Sequence, residues 1–446
     1  MQPRRRLWIW IATPFVGAIL WFGIWSMGVQ SRFEEALDAL RAEGQRVELE
    51  EFVRAPIEPR ENGAVSLIQA VRWYDEHLEA GESVVDDLEE LNYYTVQKPY
   101  NDPEFLDAEF ADVRAWLAKG DPFVTRLREV VARPEWREDL DWSAGPAMEL
   151  PVIDRMRRAN VFLENRVIRA SRFTSEVLDE LVLQARLARQ VDVPTMDGLW
   201  VTWTYEQTTA TAVQRLSRIR GFDVEATWAA VHAMLRPRSA TERVRRALRE
   251  ERAIGISMVR RLIDGEAPDV VFAPYLPDEP TDVDAEPLDS ELYASFLYRD
   301  GTLLLELVRN AERLLDESPQ DAEASAAGMV TEVTLLPPFF VTPLFSSTVH
   351  DMFEARVRYI ATMRVGLVGL ALTLHRQRTG TWPKSLDAIV GLVDPQDLID
   401  PFTDQRLHWE PGVRLEAAVP RPDDDRGGDF WFRELQITWE IGEAQR

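Results

Sequence analysis

The sequence predicts a mainly α-helical protein with an N-terminal transmembrane helix, a multi-helix body and a small C-terminal α+β module with a short antiparallel sheet. Three observations predict this architecture: an unbroken apolar run near the N-terminus, apolar residues spaced three and four apart through most of the chain, and short alternating runs near the C-terminus. The 446 residues are 46% hydrophobic and 28% charged, a composition typical of globular proteins.

Residues 7–29 form a run of 23 uncharged, mostly apolar residues. At about 1.5 Å per residue, such a helix is roughly 34 Å long and can cross a hydrocarbon core of about 30 Å. Trp8, Trp10 and Trp25 fall near the ends of the run, where indole rings favour the membrane interface. We therefore expect a signal anchor that places residues 7–29 in the membrane. The alternative is a cleaved signal peptide, with Ser26 and Gly28 ahead of the cleavage site.

The basic residues that flank this run predict its orientation. Arg4, Arg5 and Arg6 precede the run, whereas Arg32 and Arg41 follow it. Because basic residues favour the cytoplasmic side of a membrane helix, we expect a cytoplasmic N-terminus and a single membrane pass.

Charge and residue usage exclude several classes of function. The chain has 51 Lys and Arg against 76 Asp and Glu, a net charge of -25, which argues against nucleic acid as a partner. It has no cysteine, which excludes disulfides, thiol catalysis and cysteine zinc sites. Its five histidines include no His-x-x-x-His zinc motif. No Gly-x-Ser-x-Gly elbow, phosphate-binding loop or Ser-x-x-Lys pair occurs.

The chain divides into three expected regions. Residues 1–33 hold the cytoplasmic tip and the anchor, residues 34–345 form a helical extracytoplasmic body, and residues 346–446 form the C-terminal module. Helical periodicity in the body covers residues 32–43, 62–80, 103–118, 121–132, 152–190, 197–219, 223–235, 240–264 and 289–316. The proline-rich stretch 335–345 is expected to be an extended connector.

Polar residues break the apolar stripe of the body. Asn160, Thr174 and Gln184 interrupt the stripe at residues 152–190, and the next helix is unusually polar, with Thr202, Thr204, Glu206, Gln207, Thr208, Thr209 and Thr211. These side chains either line a ligand cavity between helices or form a hydrogen-bonded polar layer that fixes the register of the helices. We favour the polar layer.

The C-terminal region predicts one long helix followed by a small sheet. Residues 349–374 are periodic, and residues 365–374 are apolar on every side but too few to span a membrane. We expect protein to enclose them. Beyond Gly380 and the Trp382-Pro383 turn, alternating runs at residues 406–409, 413–419 and 430–441 predict an antiparallel sheet.

This order of elements, with the segments HRQRTGTWPKSLDAIV, DPFTDQRLHW and DDDRGGDFWF, resembles the globular part of the major pseudopilins of type II secretion systems. The resemblance is confined to residues 346–446 and implies a pseudopilin-like helix and sheet with an acidic, calcium-binding loop. Two departures limit it. The anchor lies more than 300 residues upstream of the module, and Thr403 stands where the family usually has glycine. Pilus-like polymerisation through the N-terminal helix is therefore not implied.

Calcium is the one cofactor that this resemblance suggests. By position, its candidate ligands are Asp400, Asp404, Asp423, Asp424, Asp425 and Asp429. Ca²⁺ takes about six to eight oxygen ligands in a flexible loop, and Gly427 and Gly428 would let backbone carbonyls turn toward the ion. Alternatively, the acids form a solvated turn that Arg421 and Arg426 neutralise.

The whole chain also resembles a broad set of uncharacterised, membrane-anchored bacterial proteins with an early Glu-Asn-Gly-Ala or Glu-Asn-Ala-Ala segment, here Glu61-Asn62-Gly63-Ala64. This resemblance implies a single-pass protein of the bacterial inner membrane, with the bulk of the chain periplasmic or otherwise extracytoplasmic. It implies no activity.

Three functions fit these observations. We favour a non-catalytic envelope protein that acts in assembly, sensing or scaffolding and has other envelope proteins as partners. The alternative is a membrane-anchored hydrolase that uses carboxylates in a helical cavity, and a third is a binding module for a small apolar ligand. Convergent carboxylates in a deep pocket, or a carboxylate whose pKa is displaced by burial, would favour the enzyme.

Overall fold

Helix α1 (Pro3–Ala42) runs without a break from the predicted anchor into the body. It joins two segments that the sequence predicts separately, residues 7–29 and 32–43. The computed structural model describes residues 3–78, 111–170, 172–191, 193, 195–219, 221–272, 291–334, 341–418 and 437–441, and only the backbone of residues 3–20.

The described chain is mainly helical and ends in a three-stranded antiparallel sheet, as the sequence predicts. The body contains α2 (Gly63–His77), α3 (Ala111–Lys119), α4 (Asp121–Val131), α5 (Pro151–Ile168), α6 (Ser175–Gln190), α7 (Met196–Leu216), α8 (Val224–Leu235), α9 (Ala240–Ile263), α10 (Pro268–Phe272), α11 (Glu291–Leu314) and α12 (Pro319–Thr334). Then follow α13 (Val341–Thr379) and the strands β1 (His408–Glu410), β2 (Arg414–Glu416) and β3 (Thr438–Glu440). Short 3₁₀ turns lie at Leu49–Phe52, Trp142–Ala147, Leu386–Ile389 and Pro395–Leu398.

The periodic segment at residues 152–190 is two helices rather than one. Helix α5 ends at Ile168, and α6 begins after Thr174, whose hydroxyl accepts a hydrogen bond from the Val177 N–H at 3.3 Å. Thr174 is therefore the N-cap of α6, and its own backbone is extended. Its short hydroxyl side chain favours this role. The apolar stripe continues across the break because α5 and α6 pack against each other.

Helix α13 begins earlier than the sequence predicts, so the expected connector is wrong for residues 341–345. The buried Asp300 carboxylate of α11 accepts hydrogen bonds from the N–H groups of Val341 at 2.8 Å and Thr342 at 3.1 Å. Pro343 lies in the first turn, where a helix does not use the missing N–H. Residues 335–340 lie outside the described chain.

Helix α13 is the centre of the main hydrophobic core. It packs against α7, α8, α9, α11 and α12 and also contacts β2 and β3. Where side chains are described, it is the one helix long and apolar enough to cross a membrane, with a mean hydropathy of 1.4 in its apolar window. Protein buries 83% of that window, as predicted for residues 365–374. The expected boundary between the body and the C-terminal module, at residue 345, falls inside α13. Both regions therefore contain part of this helix.

The small sheet is fixed to α13 by one close contact. The strands lie in the order β1-β2-β3, with Leu415 opposite Trp439 in the β2–β3 pair. The buried Trp439 indole lies directly against Gly369 of α13, where a Cβ would overlap the ring. A glycine is required there because any larger residue would push the sheet away from the helix.

The Glu61-Asn62-Gly63-Ala64 segment has a structural role at the start of α2. The buried Asn62 side chain accepts hydrogen bonds from the N–H groups of Ala64 and Arg137, at 3.0 and 3.1 Å, and donates one to the Arg137 carbonyl at 2.8 Å. It thereby caps α2 and ties that helix to a segment 75 residues later. Helices α2, α4, α5 and α6 enclose a second, smaller core beside this point.

Helix α1 has one face against α11 and one face exposed. On the covered side, the Trp25 ring packs on Phe296 with centroids 5.5 Å apart, and the hydroxyls of Ser26 and Ser295 lie 2.6 Å apart. On the other side, three large apolar side chains are among the most exposed of the described chain: Trp21 at 68%, Ile24 at 67% and Met27 at 66%. They lie three residues apart, so they share one helix face.

Candidate functional site

A polar cleft of about 370 Å³ opens between the end of α1, helix α9 and helix α11. Its volume falls within the range of about 300–1,000 Å³ that is typical of small-molecule sites. Four arginines line it: Arg245, Arg252, Arg309 and Arg313. Three acidic residues complete its charged lining: Glu43, Glu312 and Asp316. A small apolar ligand, the third function considered from the sequence, does not suit this charged lining.

The geometry of the cleft follows from the spacing of arginines on α9. Arg245, Arg249 and Arg252 are three or four residues apart, which brings their side chains to one face of the helix. Because α9 packs along α11, this face meets Glu312 of α11 and Asp316 just beyond the end of that helix. Arg245 Nη2 pairs with Asp316 Oδ1 at 2.9 Å, and Arg249 Nε pairs with Glu312 Oε1 at 2.7 Å.

Arg252 is the most deeply buried charged side chain of the cleft, with only 2% of its surface exposed. Its Nη1 donates to Gln45 Oε1 at 2.7 Å, and its Nη2 donates to the Arg46 carbonyl at 3.0 Å. Within the described chain, its buried Nε has no hydrogen-bond partner and no carboxylate lies at ion-pair distance from it. Burial lowers the pKa of Arg252 to about 10; the charges of Arg249 and Arg309 lower it further, and those of Glu312 and Glu43 oppose this change.

The two cleft arginines of α11 have N–H donors that form few hydrogen bonds within the described chain. Arg313 Nη1 makes one long hydrogen bond of 3.4 Å to Asn310 Oδ1. For Arg309, no hydrogen bond or ion pair is formed with any residue that the structure describes. This cluster was not predicted from the sequence, although arginines recur three and four residues apart on α9, and Arg309, Glu312 and Arg313 do so on α11.

The polar residues predicted on the buried face of the body form a hydrogen-bonded layer. Gln184 Nε2 donates to Asn160 Oδ1 at 3.3 Å and to Thr208 Oγ1 at 3.1 Å, and the Thr208 hydroxyl lies 3.2 Å from Asn160 Oδ1. One residue from each of α5, α6 and α7 is thus joined in one cluster. This arrangement supports the interpretation of these residues as a polar layer rather than as the lining of a ligand cavity. Thr174 takes no part because it caps α6.

Among the other polar residues of α7, Thr202, Thr204 and Glu206 have partners within the protein, whereas the buried Thr209 hydroxyl has none in the described chain. The buried Glu206 carboxylate accepts a hydrogen bond from the Tyr359 hydroxyl at 2.5 Å and pairs with Arg243 Nη1 at 3.0 Å. Burial raises the pKa of Tyr359 well above its ordinary value, and the Glu206 charge raises it further. The hydroxyls of Thr202 and Thr204 bond to the carbonyls four residues earlier.

Burial raises the pKa of four carboxyl groups of the described chain: Glu138, Asp197, Glu251 and Asp397. Burial raises the pKa of Glu138 to about 7, and burial also raises that of Glu251 to about 7. Glu138 Oε1 accepts the Val152 N–H at 2.7 Å, and Glu251 Oε1 accepts the Met196 N–H at 2.9 Å. Each acid therefore satisfies a free N–H at the start of a helix, and neither lines the cleft.

The predicted calcium ligands are only partly within the described chain. Asp400 is buried, and its carboxylate oxygens accept hydrogen bonds from the N–H groups of Phe402 at 2.9 Å and Ala418 at 2.7 Å. Asp404 is exposed on the same turn, in left-handed backbone conformation at φ 54°. The other four candidates, Asp423, Asp424, Asp425 and Asp429, lie outside the described residues. Among the described residues, no group of three or more His, Asp or Glu side chains could hold a metal ion.

Comparison of this chain with known proteins gives no match to a family model, to a curated protein or to a solved structure. Its function is therefore inferred from its own residues and their geometry.

Proposed function

We propose that this chain is a single-pass protein of the bacterial inner membrane, anchored through residues 7–29, with a non-catalytic role in envelope assembly, sensing or scaffolding. The observation that carries the proposal is the exposed apolar face of α1. Trp21, Ile24 and Met27 leave about two thirds of their surface uncovered by protein. Exposure of such a face to water is energetically unfavourable, whereas its contact with lipid acyl chains is favourable.

The opposite face of α1 supports the extracytoplasmic placement of the body. The covered side packs on α11 from Trp25 onward, so the body begins where the apolar run ends. With Arg4, Arg5 and Arg6 ahead of the run, the body and the C-terminal module lie on the periplasmic side. The module keeps the long-helix-and-sheet arrangement of the pseudopilin-like hypothesis, and other envelope proteins are its proposed partners.

Satisfied polar groups support a role without catalysis. Asn160, Gln184 and Thr208 bond to one another rather than to a cavity, and Glu138 and Glu251 each accept a hydrogen bond from a helix N–H group. One observation favours the alternative, a membrane-anchored hydrolase: Glu138 and Glu251 have pKa values of about 7, which suits general acid or base catalysis.

Protease accessibility tests the topology that this proposal requires. Externally added protease should digest the body in spheroplasts and leave it intact in whole cells, because only the outer membrane protects a periplasmic domain. Digestion is to be followed with an antibody against the C-terminal module. Protection in both preparations would place the body in the cytoplasm and overturn the proposal.

A further inference from the structure

The arginine-lined cleft has a charge opposite to that of the protein around it. The chain as a whole carries a net charge of -25. Two of the acids in the cleft are neutralised by arginines at 2.7 and 2.9 Å, Glu312 by Arg249 and Asp316 by Arg245. The lining as a whole holds four arginines against three acids, a net charge of +1, and Arg252, Arg309 and Arg313 form no ion pair in the described chain.

The hydrogen-bonding state of these three arginines points to a ligand. Arg252 is 98% buried, since 2% of its surface is exposed, and its Nε is a donor without a partner in the described chain. A buried guanidinium normally has a carboxylate beside it, because an unpaired buried charge is strongly destabilising. Arg252 has only the neutral oxygens of Gln45 and the Arg46 backbone. An anion in the cleft would supply the negative charge that this guanidinium lacks at hydrogen-bond distance.

We propose that this cleft binds a small, soluble molecule that carries a phosphate group. A phosphate monoester at neutral pH carries a charge close to -2, opposite in sign to the net charge of the lining. Its oxygens accept several hydrogen bonds at once, and the planar guanidinium groups of arginine match that geometry. A monocarboxylate has only two acceptor oxygens, so it would satisfy fewer of the guanidinium donors and fits less well.

The position of the cleft along α1 favours a soluble ligand over a phospholipid headgroup. Ala42, at the end of α1, lies 13 residues beyond Val29, the last residue of the apolar run. At about 1.5 Å per residue, this separation is roughly 20 Å along the helix axis. The headgroup layer on each side of a bilayer is only about 5–8 Å thick. With the anchor at residues 7–29, the cleft therefore lies beyond the reach of a headgroup.

Calorimetric titration of the full chain in detergent micelles tests this proposal. The probes are inorganic phosphate, glycerol 3-phosphate and acetate. We expect saturable binding of both phosphate compounds with Kd at or below about 1 mM, and affinity for acetate at least about tenfold lower. No saturable heat with either phosphate compound, or equal affinity for acetate, would overturn the proposal.

Variants locate the binding to the cleft. Arg309→Gln and Arg313→Gln should each weaken glycerol 3-phosphate binding by about tenfold, because each removes a charged donor. Both residues lie at the edge of the cleft, so these variants should fold, as their melting temperatures will establish. Arg128→Gln, an exposed arginine on α4, is the matched control and should bind as the unmodified chain does. Equal affinity in all three variants would show that the binding lies elsewhere.

A second titration separates the soluble ligand from a lipid. The full chain is reconstituted in nanodiscs of phosphatidylcholine, with or without phosphatidic acid, and titrated with glycerol 3-phosphate. We expect the same affinity in both. Strong competition by phosphatidic acid that Arg309→Gln abolishes would assign the cleft to a lipid headgroup and contradict the proposal. Because these titrations do not depend on which side of the membrane the body occupies, they can fail while the proposed topology holds.

Discussion

The Phe33 ring of α1 lies directly on Gly301 of α11, so closely that a Cβ added to Gly301 would come 2.5 Å from the ring carbon Cε2. Phe33 is fully buried by this contact, and its ring also packs on Tyr298 with centroids 5.8 Å apart. The missing side chain of Gly301 lets α1 approach α11, and the same two helices form two sides of the arginine-lined cleft. The position of α1 against the body and the shape of the cleft therefore both depend on this helix-helix contact.

Replacement of this glycine should separate the two helices. We expect Gly301→Ala to lower the free energy of unfolding by about 1–3 kcal/mol, because the added methyl group overpacks against Phe33. Gly328→Ala is the matched control: Gly328 also lies in a helix, but nothing lies within 4 Å of its Cβ position. Since alanine favours helix over glycine, that variant should be neutral or slightly stabilising. Denaturant unfolding measures both, and equal destabilisation would show that the Phe33 contact does not require a glycine.

The polar layer predicts a cost for removing one of its members. Asn160→Leu should lower the free energy of unfolding by about 1–3 kcal/mol, because the buried Gln184 amide loses one of its two acceptors and keeps only Thr208. Thr204→Ala, at an exposed position of α7, should change stability little and serves as the control. If these polar residues lined a ligand cavity instead, Asn160→Leu would leave stability unchanged or raise it.

The raised pKa values of Glu138 and Glu251 predict a pH dependence of stability. In the folded protein both pKa values are about 7, whereas an unfolded glutamate titrates near 4.5. Between these pH values the folded state binds more protons than the unfolded chain, so each group makes stability fall as pH rises from about 4.5 to 7. Glutamine keeps the acceptor oxygen for the helix N–H and does not ionise.

The double variant Glu138→Gln, Glu251→Gln should therefore gain stability over the unmodified chain as pH rises. We expect the difference in free energy of unfolding to grow by on the order of 1–3 kcal/mol between pH 5 and 7.5. Glu306→Gln, at an exposed position of α11, is the control and should give a constant difference. A constant difference for the double variant as well would mean that the two acids are already ionised at pH 5.

Calcium binding by the C-terminal module remains a prediction. Millimolar CaCl₂ should raise the melting temperature of the full chain if Asp404 and the acids at residues 423–429 form a loop site. The effect should disappear in a variant with Asp423, Asp424 and Asp425 replaced by alanine. MgCl₂ at the same concentration controls for ionic strength. An equal rise in the variant, or none in the unmodified chain, would rule out this site.

Local sequence patterns predicted those parts of the fold that depend on local chemistry. Apolar spacing located the buried helix at residues 365–374, and short alternating runs located the antiparallel sheet. The start of α13 was not predictable in this way, because Asp300, which caps it, lies 41 residues earlier in the chain. Thr174 also looked like part of a helical stripe, since a cap and a helix interior can share the same spacing.

The candidate site was harder to predict for the same reason. Arg245, Arg252 and Arg309 resemble ordinary surface charges when each helix is considered alone. Only the packing of α9 on α11 shows which arginines gain a carboxylate partner and which do not. Whether Arg252 Nε finds an acceptor depends on how distant parts of the chain pack around it. Gln45, which contacts the same guanidinium, is more than 200 residues away in the sequence.

The central claim is that the exposed apolar face of α1 lies in lipid, and single-cysteine labelling tests it most directly. Because the chain has no cysteine, Ile24→Cys and Asp38→Cys each introduce the only thiol. Both positions are exposed on α1, with Ile24 at 67%. In proteoliposomes, a water-soluble maleimide should label Asp38→Cys readily and Ile24→Cys at least about tenfold more slowly, because hydrocarbon excludes the reagent and suppresses the thiolate. Equal labelling of the two positions would place this face in water and contradict the membrane anchor.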